Sequence, residues 1–169
     1  MTEIINRVAN SPIITIDLES FYRKEQRVVF DLKDFLFQGL VLKEKDFRNA
    51  LKTFDWNKLN GNLVAVTCTE DAIVPTWAFM LVGTCLGKLD IEYVIGDLVA
   101  LEQFLFEKEL SKIDPELYKG KPIVVKGCSK YPVPFYAYGR VVSLLQPFAK
   151  SIMYGEPCST VPLYKRDKK

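Results

Sequence analysis

One pattern occurs twice in the chain and limits the folds open to it: an apolar strand, a loop, a helix, and a closing strand that ends on glycine and an acid. Residues 63 to 97 read LVAVTCTEDAIVPTWAFMLVGTCLGKLDIEYVIGD, and residues 123 to 156 read IVVKGCSKYPVPFYAYGRVVSLLQPFAKSIMYGE. Leu63, Val64, Cys68 and Thr69 fall on Ile123, Val124, Cys128 and Ser129 at one offset. Pro75, Trp77, Ala78, Phe79, Val82, Leu86, Gly96 and Asp97 fall on Pro134, Tyr136, Ala137, Tyr138, Val141, Leu145, Gly155 and Glu156 at an offset one residue shorter. A single-residue deletion in the loop relates the two, and the pattern reads as a duplicated β-loop-α-β unit.

Around these segments the chain alternates. Residues 12 to 18 and 27 to 32 are β-branched runs, a strand pair open to a hairpin. From Gly39 to Trp56, Leu40, Phe47, Leu51 and Phe54 recur at helical spacing, with Glu44 and Arg48 four apart on the opposite side. Each repeat helix is expected to start at its proline, where a missing amide costs nothing. Val74, Trp77, Ala78, Leu81, Val82 and Cys85 form the stripe of the first. Leu98, Leu101, Phe104 and Leu105 predict a further helix, closed before Pro115 and the Lys119-Gly120 turn. From residue 27 the order is strand and helix by turns, which predicts a three-layer α/β fold: a mostly parallel sheet with helices on both faces. At 169 residues the chain is expected to be a single α/β domain, 1–169.

Charge and composition narrow the function. A net charge of +2, with both signs interspersed, argues against nucleic acid, and no apolar run approaches the roughly 20 residues that span a bilayer. Only Lys165, Arg166, Lys168 and Lys169 around Asp167 make a basic cluster. The start, MTEIINRVANS, lacks the features of a secretory signal, so a cytoplasmic location is expected. There the four cysteines, at 68, 85, 128 and 158 with no CxxC pair, would stay reduced.

In a parallel sheet the strands end at one edge, where ligands of open α/β sheets sit. Cys68 and Cys128 fall at strand ends before helix starts, which favours the thiolate; small cysteines also pack well there, and both readings stay open. The following Thr69 and Ser129 can satisfy turn or helix amides. With no histidine in the chain, imidazole mechanisms are excluded. A metal site would be built from Cys68, Cys128 and Cys158 with Asp71 or Glu156, and would hold zinc or iron. Glu70 joins these in the first copy, while Cys85 reads as core. Asp97 and Glu156 are either an acid/base pair or turn and cap residues. Trp77, Phe79, Tyr136 and Tyr138 either stack on a planar ligand or fill a core. KEKDFR, residues 43 to 48, is a solvated helix face or a partner surface. Neither a P-loop nor GxGxxG occurs.

The segments NRVANS (6–11), GLVLKEKDFR (39–48), DAIVPTWAFML (71–81), KGCSKYPVP (126–134) and SIMYGEPCSTVPLYKR (151–166) resemble those of the domain-of-unknown-function 2480 family of Bacteroidetes. The resemblance implies a small cytoplasmic protein whose relatives are often encoded beside iron–sulfur cluster assembly genes, with no catalytic residues to carry over. The expected function is an accessory in sulfur or metal handling with a strand-end cysteine and carboxylate site. The alternative is a non-catalytic protein-protein interaction module with structural cysteines. A protein partner is expected, a homodimer stays open, and an enzyme using Asp97 or Glu156 ranks last.

Overall fold

The computed structural model describes residues 12–127 and 129–167. Cys128, the NRVANS segment, Lys168 and Lys169 therefore lie outside the described residues. The protein is mixed α/β, with seven strands and four α-helices among the described residues. In chain order these are β1 (Ile14–Asp17), β2 (Arg27–Asp31), α1 (Glu44–Thr53), β3 (Leu63–Thr67), α2 (Thr76–Gly87), β4 (Tyr93–Ile95), α3 (Leu98–Leu110), β5 (Pro122–Lys126), α4 (Phe135–Leu145), β6 (Ser151–Glu156) and β7 (Ser159–Lys165). The alternation expected from residue 27 to β6 is present. No helix among the described residues is long and apolar enough to cross a membrane.

The strands divide between two sheets rather than joining one. The chain forms two compact units: a discontinuous one, Met1–Arg23 with Leu105–Lys169, and one inserted into it in sequence, Lys24–Phe104. The inserted unit holds a parallel sheet of order β2-β3-β4, and the discontinuous unit one of order β1-β5-β6-β7, in which only β7 is antiparallel. The hairpin open to the first two strands does not form. β1 pairs with β5 and β2 with β3.

In the inserted unit, Val64 and Val66 of β3 share one face, since side chains alternate along a strand. They join one apolar core with Phe47 and Leu51 of α1 and with Ala78, Val82 and Leu86 of α2. α1 and α2 thus pack on the same face of this sheet. The strand order runs in one direction, so two right-handed crossovers bring their helices to one side. In the discontinuous unit, Ile123 and Val125 of β5 form the corresponding core with Phe106, Leu110, Ala137, Val141 and Leu145.

α1 starts later than its hydrophobic spacing suggests. Gln38 and Gly39 have φ of 52° and 70°, which breaks the helix, and Leu40 is exposed on the turn they make. The expected Glu44–Arg48 pair is present, Nε to Oε1 at 2.9 Å. Pro75 and Pro134 cap α2 and α4 from outside, with extended ψ of 143° and 146°, so each helix begins one residue after its proline.

Candidate functional site

At the strand ends of the inserted unit, the Asp31 carboxylate gathers the following loops. Its Oδ1 accepts from the Lys33 amide at 3.0 Å and the Thr69 amide at 3.1 Å, and its Oδ2 accepts from the Thr69 hydroxyl at 2.6 Å. Burial pushes this carboxyl up, but the hydrogen bonds from Thr69 and Lys33 outweigh it and hold the group below its ordinary range. Cys68 is half-buried against the apolar core, and its thiol donates to the Glu70 carbonyl at 3.6 Å. Glu70 and Asp71 are exposed on the same loop.

The discontinuous unit has its own strap. Glu19 accepts from the Lys130 amide at 2.7 Å, the Ser129 amide, and the Ser129 hydroxyl at 3.0 Å. The Lys130 amide contributes most to holding the Glu19 carboxyl below its usual value, against the opposing effect of desolvation. Asp17 caps the 3₁₀ turn after β1 by accepting from the Glu19 amide at 3.0 Å. Lys126 lies 3.7 Å from Asp17 and 3.5 Å from Glu156, so Glu156 faces an ammonium. Cys158 is exposed on the turn between β6 and β7.

The expected metal ligands are divided between the two units in sequence. Cys68 and Asp71 share a loop of the inserted unit, Glu156 and Cys158 share a hairpin of the discontinuous one, and Cys128 is outside the described residues. Among the described residues no group of three or more cysteines and acids is placed to hold a metal ion. The strand bounds also shift the cysteine match: Cys68 directly follows β3, whereas position 128 is two beyond the end of β5. Asp97 is a helix cap, accepting from the Ala100 amide at 2.8 Å. Trp77 and Phe79 pack against the inserted unit's core. Tyr138 packs against the other core, 6.0 Å from the Tyr154 ring in an edge contact.

Tyr136 belongs to a polar contact between α3 and α4. Its hydroxyl donates to Glu107 Oε2 at 2.6 Å, and Arg140 grips both oxygens of Glu107 at 2.6 and 3.0 Å. The Arg140 guanidinium, then the Tyr136 hydroxyl, lower the Glu107 carboxyl from 4.5 to about 2. The same contact raises Tyr136 and Arg140.

Between α1 and α2 there is a groove instead, with a cavity volume of about 550 Å³. Leu51, Trp56, Leu81 and Cys85 contribute its apolar lining, and Arg48, Lys52 and Lys88 its charges. Sequence periodicity assigned Cys85 to the core and passed over this groove. The available signal was Arg48 and Lys52 on one helix face, with Lys88 just beyond the next helix.

These features define a mixed α/β protein of two mostly parallel sheets. The chain belongs to the family described as a protein of unknown function, DUF2480, whose profile matches residues 2–166. No curated protein and no solved structure matches it.

Proposed function

We propose that the protein is a non-catalytic interaction module whose two units descend from one duplicated ancestor. In each unit the elements run strand, 3₁₀ turn, α-helix, 3₁₀ turn, strand, α-helix, strand. A spacing of 59 positions relates Gly61 to Gly120, both at φ near 70°, the 3₁₀ turn Trp56–Leu59 to Pro115–Tyr118, and Gly96 to Gly155. The ladders agree: Val64 pairs with Tyr93, and Ile123, 59 positions on, pairs with Ile152. This supports one constant offset with no deletion, under which Cys68 matches Gly127 and not Cys128.

The observation that carries the interaction reading is the apolar surface on the loops after β2 and β3. Ile73 is 76% exposed and Leu40 63% exposed. They are held together by the Ile73 amide donating to the Leu40 carbonyl at 3.0 Å, and Phe37 and Val41, linked by a bridge, adjoin them. Exposed apolar side chains gathered on a fixed backbone favour a protein partner that covers them with apolar residues of its own. A photo-crosslinking residue at position 73, compared with one at Lys58 in living cells, tests this. A discrete product at 73 alone is expected; equal products or none would contradict it.

The second reading is an accessory of sulfur or metal handling in the cytoplasm, using Cys68, Cys128 and Cys158 with Asp71 or Glu156. The exposure of Cys158 two residues after Glu156 favours it. It requires near-stoichiometric zinc or iron that is lost in Cys68→Ser, Cys128→Ser or Cys158→Ser. The interaction reading instead expects Cys68, packed against the core, to react with thiol reagents slowly until the protein unfolds.

A further inference from the structure

The geometry points to the α1–α2 groove of the inserted unit as a binding site for a small amphipathic anion, with an aliphatic or aromatic body and one carboxylate, sulfonate or phosphate head. This site is separate from the apolar loops of the interaction reading.

The lining asks for an apolar body. The Trp56 indole N–H already donates to the Leu51 carbonyl at 2.9 Å, and the Thr84 hydroxyl to the Leu81 carbonyl at 2.7 Å. Their hydrogen bonding is met within the protein, so what these residues offer a ligand is mainly hydrocarbon and ring surface. Leu51, Leu81 and Cys85 extend it. A volume of about 550 Å³ falls within the range of small-molecule clefts, roughly 300–1,000 Å³.

The charges ask for an anionic head. Arg48, Lys52 and Lys88 line the groove, and none of the lining residues is an acid. Lys52 and Lys88 have no ion-pair partner among the described residues, and Arg48, whose guanidinium lies 5.7 Å from the Trp77 ring centre, has its ion pair along its own helix with exposed Glu44. Cations of one sign beside an apolar surface concentrate an oppositely charged ligand.

The discontinuous unit supplies a second, independent argument. Under the 59-residue spacing, Arg48 matches Glu107 and Leu81 matches Arg140. There, α3 and α4 are tied by a two-pronged pair that neutralises the arginine internally. In the inserted unit the acid is replaced by a cation and its partner by leucine, so the corresponding place is apolar and positively charged without an internal counter-charge.

Titration of the full chain with 8-anilinonaphthalene-1-sulfonate, read by tryptophan-sensitised emission, tests the proposal. The expected result is one saturable site per chain, with the probe displaced by decanoate and not by decyltrimethylammonium. Lys52→Glu/Lys88→Glu should weaken binding at least tenfold, and Thr84→Trp should abolish it by filling the groove. Lys150→Glu/Lys165→Glu, in the other unit, should leave it unchanged. Should Thr84→Trp fail to fold, the two exposed lysines decide the matter. Unchanged binding in the lysine variant, equal displacement by the cationic detergent, or binding that never saturates would overturn the proposal.

Discussion

The two units treat the space between their helices in opposite ways. Between α3 and α4, Glu107, Arg140 and Tyr136 close the contact with charge-assisted hydrogen bonds. Between α1 and α2, Arg48, Lys52 and Lys88 border an apolar groove with no acid in its lining. The cores beneath are alike, valines or isoleucines of the middle strand under leucines and alanines of two helices. The clearest difference between the closed contact and the open groove lies at positions 48 and 81 against 107 and 140, with Trp77 standing where Tyr136 adds its hydroxyl. Similar frameworks can therefore differ between their helices, one unit closing the contact with its own side chains and the other leaving Arg48, Lys52 and Lys88 beside an apolar groove.

The likeness of the cores is the easiest part to break. Leu86 and Leu145, 59 positions apart and both fully buried, should each cost about 2–5 kcal/mol when changed to alanine, measured by urea unfolding. A cost below about 1 kcal/mol at either one would show that it does not have the core role assigned to it. A sharper test uses Gly83, where an added Cβ would meet the Tyr93 hydroxyl at 2.5 Å. Gly83→Ala should cost about 1–3 kcal/mol through overpacking. Val142 and Ile152 stand at the matching places of the other unit, so adding Tyr93→Ile should recover part of the loss.

The closed contact can be tested by pH. The folded-state pKa of Glu107 lies below its ordinary value. Its contribution is thus present above pH 4.5 and is lost as the pH falls towards about 2. With its side chain 37% exposed, solvent screening limits that contribution to about 1 kcal/mol. Glu107→Gln should lower stability by that amount at pH 7 and converge with the wild type near pH 2. The smallest effect belongs to Glu44, whose pair with Arg48 runs along one exposed helix face. Glu44→Gln should cost about 0.3–0.5 kcal/mol, and less in high salt.

Much of the framework was legible in local patterns. The runs at 63–66 and 123–125 are continuously apolar because their residues are buried on both faces, which is how strands inside parallel sheets read. The prolines at 75 and 134 marked helix starts to within one residue. The division into two sheets was not legible, because β1 finds its partner β5 more than a hundred residues away and nothing local names that partner. β7 was hidden for another reason: it is an exposed edge strand containing Pro162, and both features weaken a strand signal. At the site, Thr69 and Ser129 were visible as turn residues, but their partners Asp31 and Glu19 are distant in sequence. Cys85 carried the periodicity of a core residue, and periodicity reports which face of a helix is apolar, not whether that face is fully covered.

The contrast between the two helix pairs is tested most directly by building one into the other. In Arg48→Glu/Leu81→Arg, the inserted unit would carry the acid and cation of the Glu107–Arg140 pair at the matching positions. The account predicts that this variant keeps the wild-type urea midpoint within about 1 kcal/mol of stability and loses the saturable site for 8-anilinonaphthalene-1-sulfonate. Probe binding at wild-type affinity in the folded variant would contradict it.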